Sequence, residues 1–129
     1  MPFEVQPSPT RGWAIRLTGD VTATDLKRGV LAVVANGGWE EPLLWDFRAI
    51  SAFGLETPDV DDTAAFVQKH TRCFPPRGRI AVITRSELGD RAAAHYRERC
   101  EPDTRALIRI VRTEEAAREW LHPSVEPAA

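Results

Sequence analysis

Apolar and polar positions along the chain fall into two alternating periods, one of strands and one of helices. Residues 3–5 form a first short extended segment, and Pro7, Ser8, Pro9 and Gly12 predict a turn after it. In residues 13–18, Trp13, Ile15 and Leu17 alternate with Ala14, Arg16 and Thr18, the period of a half-buried strand that ends at Gly19 and Asp20. Thr22 and Asp25, three apart, make a capping-box-like start to a helix with Leu26, Val30, Val33 and Val34 on one face. Asn36, Gly37 and Gly38 stop that helix. Leu43, Leu44 and Trp45 predict a short buried strand ending in Asp46, with residues 48–56 as a loop. A second helix opens at Thr57 with Pro58 at its first position and Asp59, Asp61 and Asp62 in its first turn. Pro75, Pro76 and Gly78 break the chain before a central-type strand at residues 80–83. A third helix runs from Ser86 to about Cys100. Glu101, Pro102 and Asp103 turn the chain into a strand over residues 106–111, and Thr113 caps a last helix with Ala116, Ala117, Trp120 and Leu121 inward.

This order predicts an α/β fold: a mixed five-stranded sheet, its first pair antiparallel and its later strands mainly parallel through right-handed crossovers, covered by about four helices. A length of 129 residues suits one domain, taken as residues 1–122 followed by a tail at 123–129. With 43% hydrophobic and 28% charged residues the chain is globular in composition, and it has no internal repeat or low-complexity tract. A net charge of -2 supplies no global positive field for nucleic acid. The longest apolar run, residues 30–35, is far short of a membrane helix, and residues 1–4 carry no leader pattern, so a cytoplasmic protein is expected. Two cysteines, Cys73 and Cys100, are too few for a disulfide framework.

Four stretches carry a resemblance: residues 15–22 (IRLTGDVT), 43–48 (LLWDFR), 79–84 (RIAVIT) with the Gly-bearing helix start after it, and 112–121 (RTEEAAREWL). In these, and in the order of its elements, the chain resembles the STAS superfamily, most closely the SpoIIAA-like branch of small bacterial proteins. The resemblance implies a cytoplasmic domain used for protein contacts, or for holding a small apolar or anionic molecule, without chemistry of its own. STAS proteins that antagonise anti-sigma factors are switched by phosphorylation of a Ser in an Asp-Ser motif after the third strand. Here the corresponding stretch, residues 51–58, has no such pair. Its hydroxyls are Ser51 and Thr57, and Thr57 reads as a helix cap beside Asp59, Asp61 and Asp62, whose charges oppose a phosphate. The switch is not carried over to this chain.

Ligands of open α/β sheets bind beyond the carboxyl ends of the parallel strands. Arg48, Arg85 and Arg112 follow three strands there and, with Thr84, Ser86 and the third helix's N-terminus, could hold a carboxylate or phosphate. Asp46, Glu87, Asp90, Glu114 and Glu115 are close enough in sequence to neutralise the same arginines. His70, Cys73, His95 and Cys100 could approach one edge, but their spacing matches no compact zinc pattern, so neither a metal nor another cofactor is expected. The chain has no Gly-x-Ser-x-Gly elbow, Walker loop, dinucleotide fingerprint or His-Glu-x-x-His motif, which argues against an enzyme. Trp13, Trp45 and Trp120 fall on predicted apolar faces, whereas Trp39 and Phe53 sit in predicted loops and form a candidate partner-binding patch. The sequence therefore points to a non-enzymatic domain that binds a protein partner or a second copy of itself. The alternative is a carrier with a pocket lined by Leu43, Trp45, Ile80 and Val82 and an anionic head group at the arginine edge.

Overall fold

The computed structural model describes residues 3–7, 12–35, 41–53, 57–71, 78–100 and 102–122. Trp39, Cys73 and the expected tail at 123–129 lie outside the described residues. In chain order the elements are β1 (Phe3–Pro7), β2 (Trp13–Val21), α1 (Ala23–Ala35), β3 (Leu43–Phe53), α2 (Thr57–Thr71) and β4 (Ile80–Ile83). They continue with α3 (Glu87–Arg99), α4 (Pro102–Leu107), β5 (Ile108–Val111) and α5 (Glu114–Leu121). The sheet order is β1-β2-β3-β4-β5. Strands β2 to β5 run parallel, and β1 pairs with β2 in the antiparallel sense.

Helix starts follow local chemistry. The Thr22 amide and hydroxyl both donate to Asp25 Oδ2 at 3.0 Å, and the Asp25 amide donates back to Thr22 Oγ1 at 3.4 Å. Ser86 Oγ accepts from the Gly89 amide at 3.0 Å, and Thr113 Oγ1 from the Ala116 amide at 3.1 Å, so α3 and α5 each begin with a satisfied donor.

Strand alternation sends side chains to two different layers. Ile15, Leu17, Leu43, Ile80, Val82 and Ile108 are buried with Leu26, Val30 and Val33 of α1, Val67 of α2 and Ala93 of α3. Ala81, Ile83 and Val111 face the other way, against Ala117, Trp120 and Leu121 of α5. Helix α5 lies over β3, β4 and β5, while α2 packs chiefly on its helical neighbours α1 and α3. Polar ties hold α2 on both flanks. Lys27 of α1 pairs with Asp62 and lies over the Phe66 ring. Asp61 accepts from Arg99 Nε at 2.7 Å and sits 2.7 Å from His95 Nε2.

Three expectations about element boundaries need correction. Residues 48–53 of the expected loop at 48–56 are strand, because β3 continues to Phe53 beside a β2 that continues to Val21. β3 carries two more residues than β2, 11 against 9, and absorbs them at register shifts between the Arg16 and Thr18 pairings and between the Gly19 and Asp20 pairings. These bulges break the period-two alternation that marks a strand in sequence. Gly19 stays in the strand because φ of +71° is open to glycine. Five helices are present where about four were expected. The added one is α4, where Pro102 has a φ suited to a first helical turn and Asp103 faces the positive end of the dipole. The last strand consequently starts at Ile108, not at Ala106.

Candidate functional site

At the carboxyl edge of the parallel strands the expected arginines are present, and they are engaged. Asp46 is 4% exposed on β3. It accepts from the Arg48 amide at 3.0 Å, from Arg48 Nε at 2.9 Å and from Arg48 Nη2 at 2.8 Å, and Arg16 Nε of β2 lies at 3.5 Å. Arg48 also reaches toward Glu114 of α5 at 3.9 Å. Burial by itself would raise the Asp46 pKa, but the hydrogen bonds and positive charge of Arg48, with Arg16, outweigh it and hold the carboxyl below its ordinary range. The same contacts raise the Arg48 pKa.

A second group sits at the ends of β4 and β5. The buried Thr84 hydroxyl donates to Asp90 Oδ1, and Arg112 donates to Asp90 Oδ2. Thr84 continues the ladder through its amide to the Val111 carbonyl at 3.1 Å, and the Ser86 hydroxyl is committed to capping α3. Of the four residues expected to hold an anion, Arg48 and Arg112 are tied to carboxylates, Ser86 is a cap, and Arg85 is exposed. One group ties β3 to β2 and α5, and the other ties the ends of β4 and β5 to α3. The arrangement does not leave three guanidinium groups facing a common ligand.

Of the four possible zinc ligands, Cys73 lies outside the described residues, and side-chain contacts are described for His95 and Cys100. His95 turns to Asp61, and the Cys100 thiol donates to the Tyr96 carbonyl at 3.4 Å. Burial pushes the Cys100 thiol up to about 11, against the lowering effect of the Tyr96 side chain and of Arg105 and Arg97, so it is a poor nucleophile at neutral pH. Among the described residues no group of three His, Cys, Asp or Glu side chains is placed to hold a metal.

On the other face of the sheet lies a cavity of about 50 Å³ between the strands and α1, α2 and α3. Its floor is Trp45, Phe47, Ile80, Val82 and Ile108, and its roof includes Leu26, Val30, Val60, Val67 and Ala93. Thr63 and Tyr96 bring the hydroxyls. Trp45 and Phe47 meet edge to face, with centroids 6.1 Å apart. Burial drives the Tyr96 pKa far up, so the phenol stays neutral. Three of the four residues expected to line a pocket, Trp45, Ile80 and Val82, do so, whereas Leu43 is buried in the core beside it. The sequence missed the contribution of α2, whose Val60 and Val67 signal it by their helical spacing.

The expected partner patch fares differently. Phe53 is the last residue of β3, paired with Val21, and not a loop residue. Thr57, expected to cap α2, is already its first residue.

The chain is similar to the crystal structure of an uncharacterised DUF3478-family protein with a SpoIIAA-like fold from Shewanella loihica PV-4. The likeness covers 92% of this chain and 91% of that one, at 18% sequence identity and a TM-score of 0.55. The fold is SpoIIAA-like. No family model matches the chain, and no curated protein does. Within the SpoIIAA-like fold, the cavity between sheet and helices is concave and apolar, while Arg48 and Arg112 at the carboxyl edge are held in ion pairs. Among the described residues no helix is long and apolar enough to cross a membrane.

Proposed function

We propose that this protein is a non-enzymatic STAS-like domain of the cytoplasm that carries a small apolar molecule between its sheet and helices α1 to α3. The cavity of about 50 Å³, walled almost wholly by hydrocarbon and aromatic side chains, supports this reading. A water needs roughly 10 to 15 Å³ on this measure, so the space would take a few waters, yet such walls give water few hydrogen-bond partners. An apolar guest loses nothing there and recovers the dispersion contacts that the void forfeits. Tyr96 and Thr63 would orient a guest through one polar atom, the usual division of labour in a ligand pocket. The arginine edge is not part of this site: Arg48 and Arg112 already have carboxylate partners, and none of Arg48, Arg85 and Arg112 lines the cavity.

Titration with benzene and indole, followed by methyl NMR signals of Val30, Val60 and Val82, tests the reading. Saturable shifts confined to these residues are expected, together with their loss in Val67→Phe, which fills the space. If neither probe shifts them, or if Val67→Phe binds as well as the parent, the carrier reading fails.

A second reading is a protein contact, with a partner or another copy of this chain, at the open part of the other sheet face. There α5 covers β3 to β5, and Arg16 and Thr18 of β2 are exposed beyond it. The expected contact residues Trp39 and Phe53 belong to this reading with Arg48. Sedimentation of the parent and of Arg16→Glu distinguishes the self-association case: a dimer that the charge reversal dissolves supports it, and a monomer in both removes it.

A further inference from the structure

We propose that Arg79, Arg109 and Trp120 form an oxyanion site at the amino end of β4 and β5, on the face that carries α5. The Trp120 indole is fixed in place, its Nε1–H donating to the Ile80 carbonyl at 3.1 Å and to the Leu107 carbonyl at 3.0 Å. The guanidinium carbons of Arg79 and Arg109 both lie 4.3 Å from the centre of its ring. The two cations are therefore no more than twice that distance apart. An indole face favours a cation, but it does not cancel the repulsion between two of them.

What sets this pair apart is the single indole that both cations approach. Arg16, Arg48, Arg91, Arg99 and Arg112 each lie within ion-pair distance of a carboxylate. Among the described residues Arg79 and Arg109 do not, and neither do Arg28, Arg85, Arg97, Arg105 and Arg118, but only Arg79 and Arg109 lie over one ring. Arg79 spends one N–H on the Trp120 carbonyl at 3.2 Å. Stacking uses the flat face of a guanidinium and leaves its edge N–H groups aimed sideways, the fork that suits phosphate or carboxylate oxygens. Arg97, bonded to the Ile108 carbonyl, and Arg105, bonded to the carbonyls of Glu98 and Cys100, add positive potential at this end of the strands. Arg109 is exposed, so an anion can reach it from solvent. The ligand class is a small molecule carrying a phosphate or carboxylate. This site is separate from the cavity and does not depend on the carrier reading.

Inorganic phosphate and citrate are the probes, and the indole N–H signal of Trp120, assigned with Trp120→Phe, is the readout. With phosphate or citrate the signal is expected to move saturably, and with chloride at matched ionic strength it is not. Arg109→Gln, whose folding is checked by its Tm, should weaken binding about tenfold, since a hydrogen bond to a charged group is lost. Arg91→Gln should leave it unchanged. A preference for phosphate over citrate would assign a phosphate ligand, and the reverse a carboxylate. Equal shifts with chloride, an Arg109→Gln protein that titrates like the parent, or binding lost in Arg85→Gln alone would each overturn the site.

Discussion

Replacing Asp46 by alanine removes the acceptor shared by Arg48 of its own strand and Arg16 of β2. The side chain is nearly inaccessible and takes one backbone and two guanidinium hydrogen bonds from Arg48, at 3.0, 2.9 and 2.8 Å. Breaking a fully buried pair costs about 3 to 5 kcal/mol. Arg48 keeps 23% of its side-chain surface and Arg16 keeps 46%, so both can turn to water when the carboxylate is gone. The Arg48 amide is less able to do so. A loss of about 2 kcal/mol at neutral pH is therefore expected, roughly 6 to 8 °C in Tm for a chain of this size. Urea unfolding followed by circular dichroism measures it, with an unchanged slope showing that only stability has moved. The pH dependence gives an independent check. Because the folded-state pKa of Asp46 is below the ordinary carboxyl value of 3.8, its contribution is complete above that pH and disappears as pH falls through the lower folded value. Parent and Asp46→Asn should converge in stability under acid. A neutral-pH difference below about 0.5 kcal/mol, the range of ordinary surface changes, or one that persists in acid, would refute the assignment of Asp46 as the hub of this face.

Ser86→Ala and Thr113→Ala each remove an N-cap, and each should cost about 1 kcal/mol in urea unfolding; the double variant should show nearly the sum. Gly12→Ala should be poorly folded by circular dichroism, since φ is +91° and a Cβ would stand 2.1 Å from the Pro42 carbonyl oxygen. In a Cys73→Ser background, Cys100 should resist a thiol reagent at pH 8 and react on unfolding, because the thiol is buried and its pKa is about 11. Rapid labelling of the native protein would contradict its placement.

Much of the architecture was legible because it rests on local signals. Thr22 with Asp25, Ser86 and Thr113 announce helices through side chains that satisfy backbone donors within three residues. Ile80 to Ile83 announces a central strand by being apolar throughout. β3 was legible only as far as Asp46, since its bulges move Arg48 to Phe53 out of step with the alternation. α4 was hidden because all its residues are also plausible in a turn, and none of them is buried. Asp46, two residues from Arg48 on one strand, was legible as a carboxylate able to neutralise it, and that pairing removes Arg48 from the anion site. Asp90 was legible as a neutralising carboxylate, but its choice of Arg112, 22 residues away, was not, and Arg79 meets Trp120 across 41 residues, which no local pattern reports. The cavity is harder still, since a void is the difference between the space that elements enclose and the volume that side chains fill.

The amino edge of the sheet also limits how the chain can be altered. An added Cβ on Gly12 would collide with the backbone of Pro42, and one on Gly78 would lie 2.4 Å from the Glu41 carbonyl. Trp13 donates to the Pro42 carbonyl at 3.0 Å, and Leu43 donates to the Arg79 carbonyl at 3.0 Å. Three segments far apart in sequence thus meet backbone to backbone, with each glycine acting as an index mark for the strand that follows it. A one-residue insertion between Gly12 and Trp13, or between Gly78 and Ile80, would separate the mark from its strand and force a side chain into a gap too small for it. Grafting, splitting or permuting this fold is best directed away from that seam, because length there is fixed as tightly as sequence.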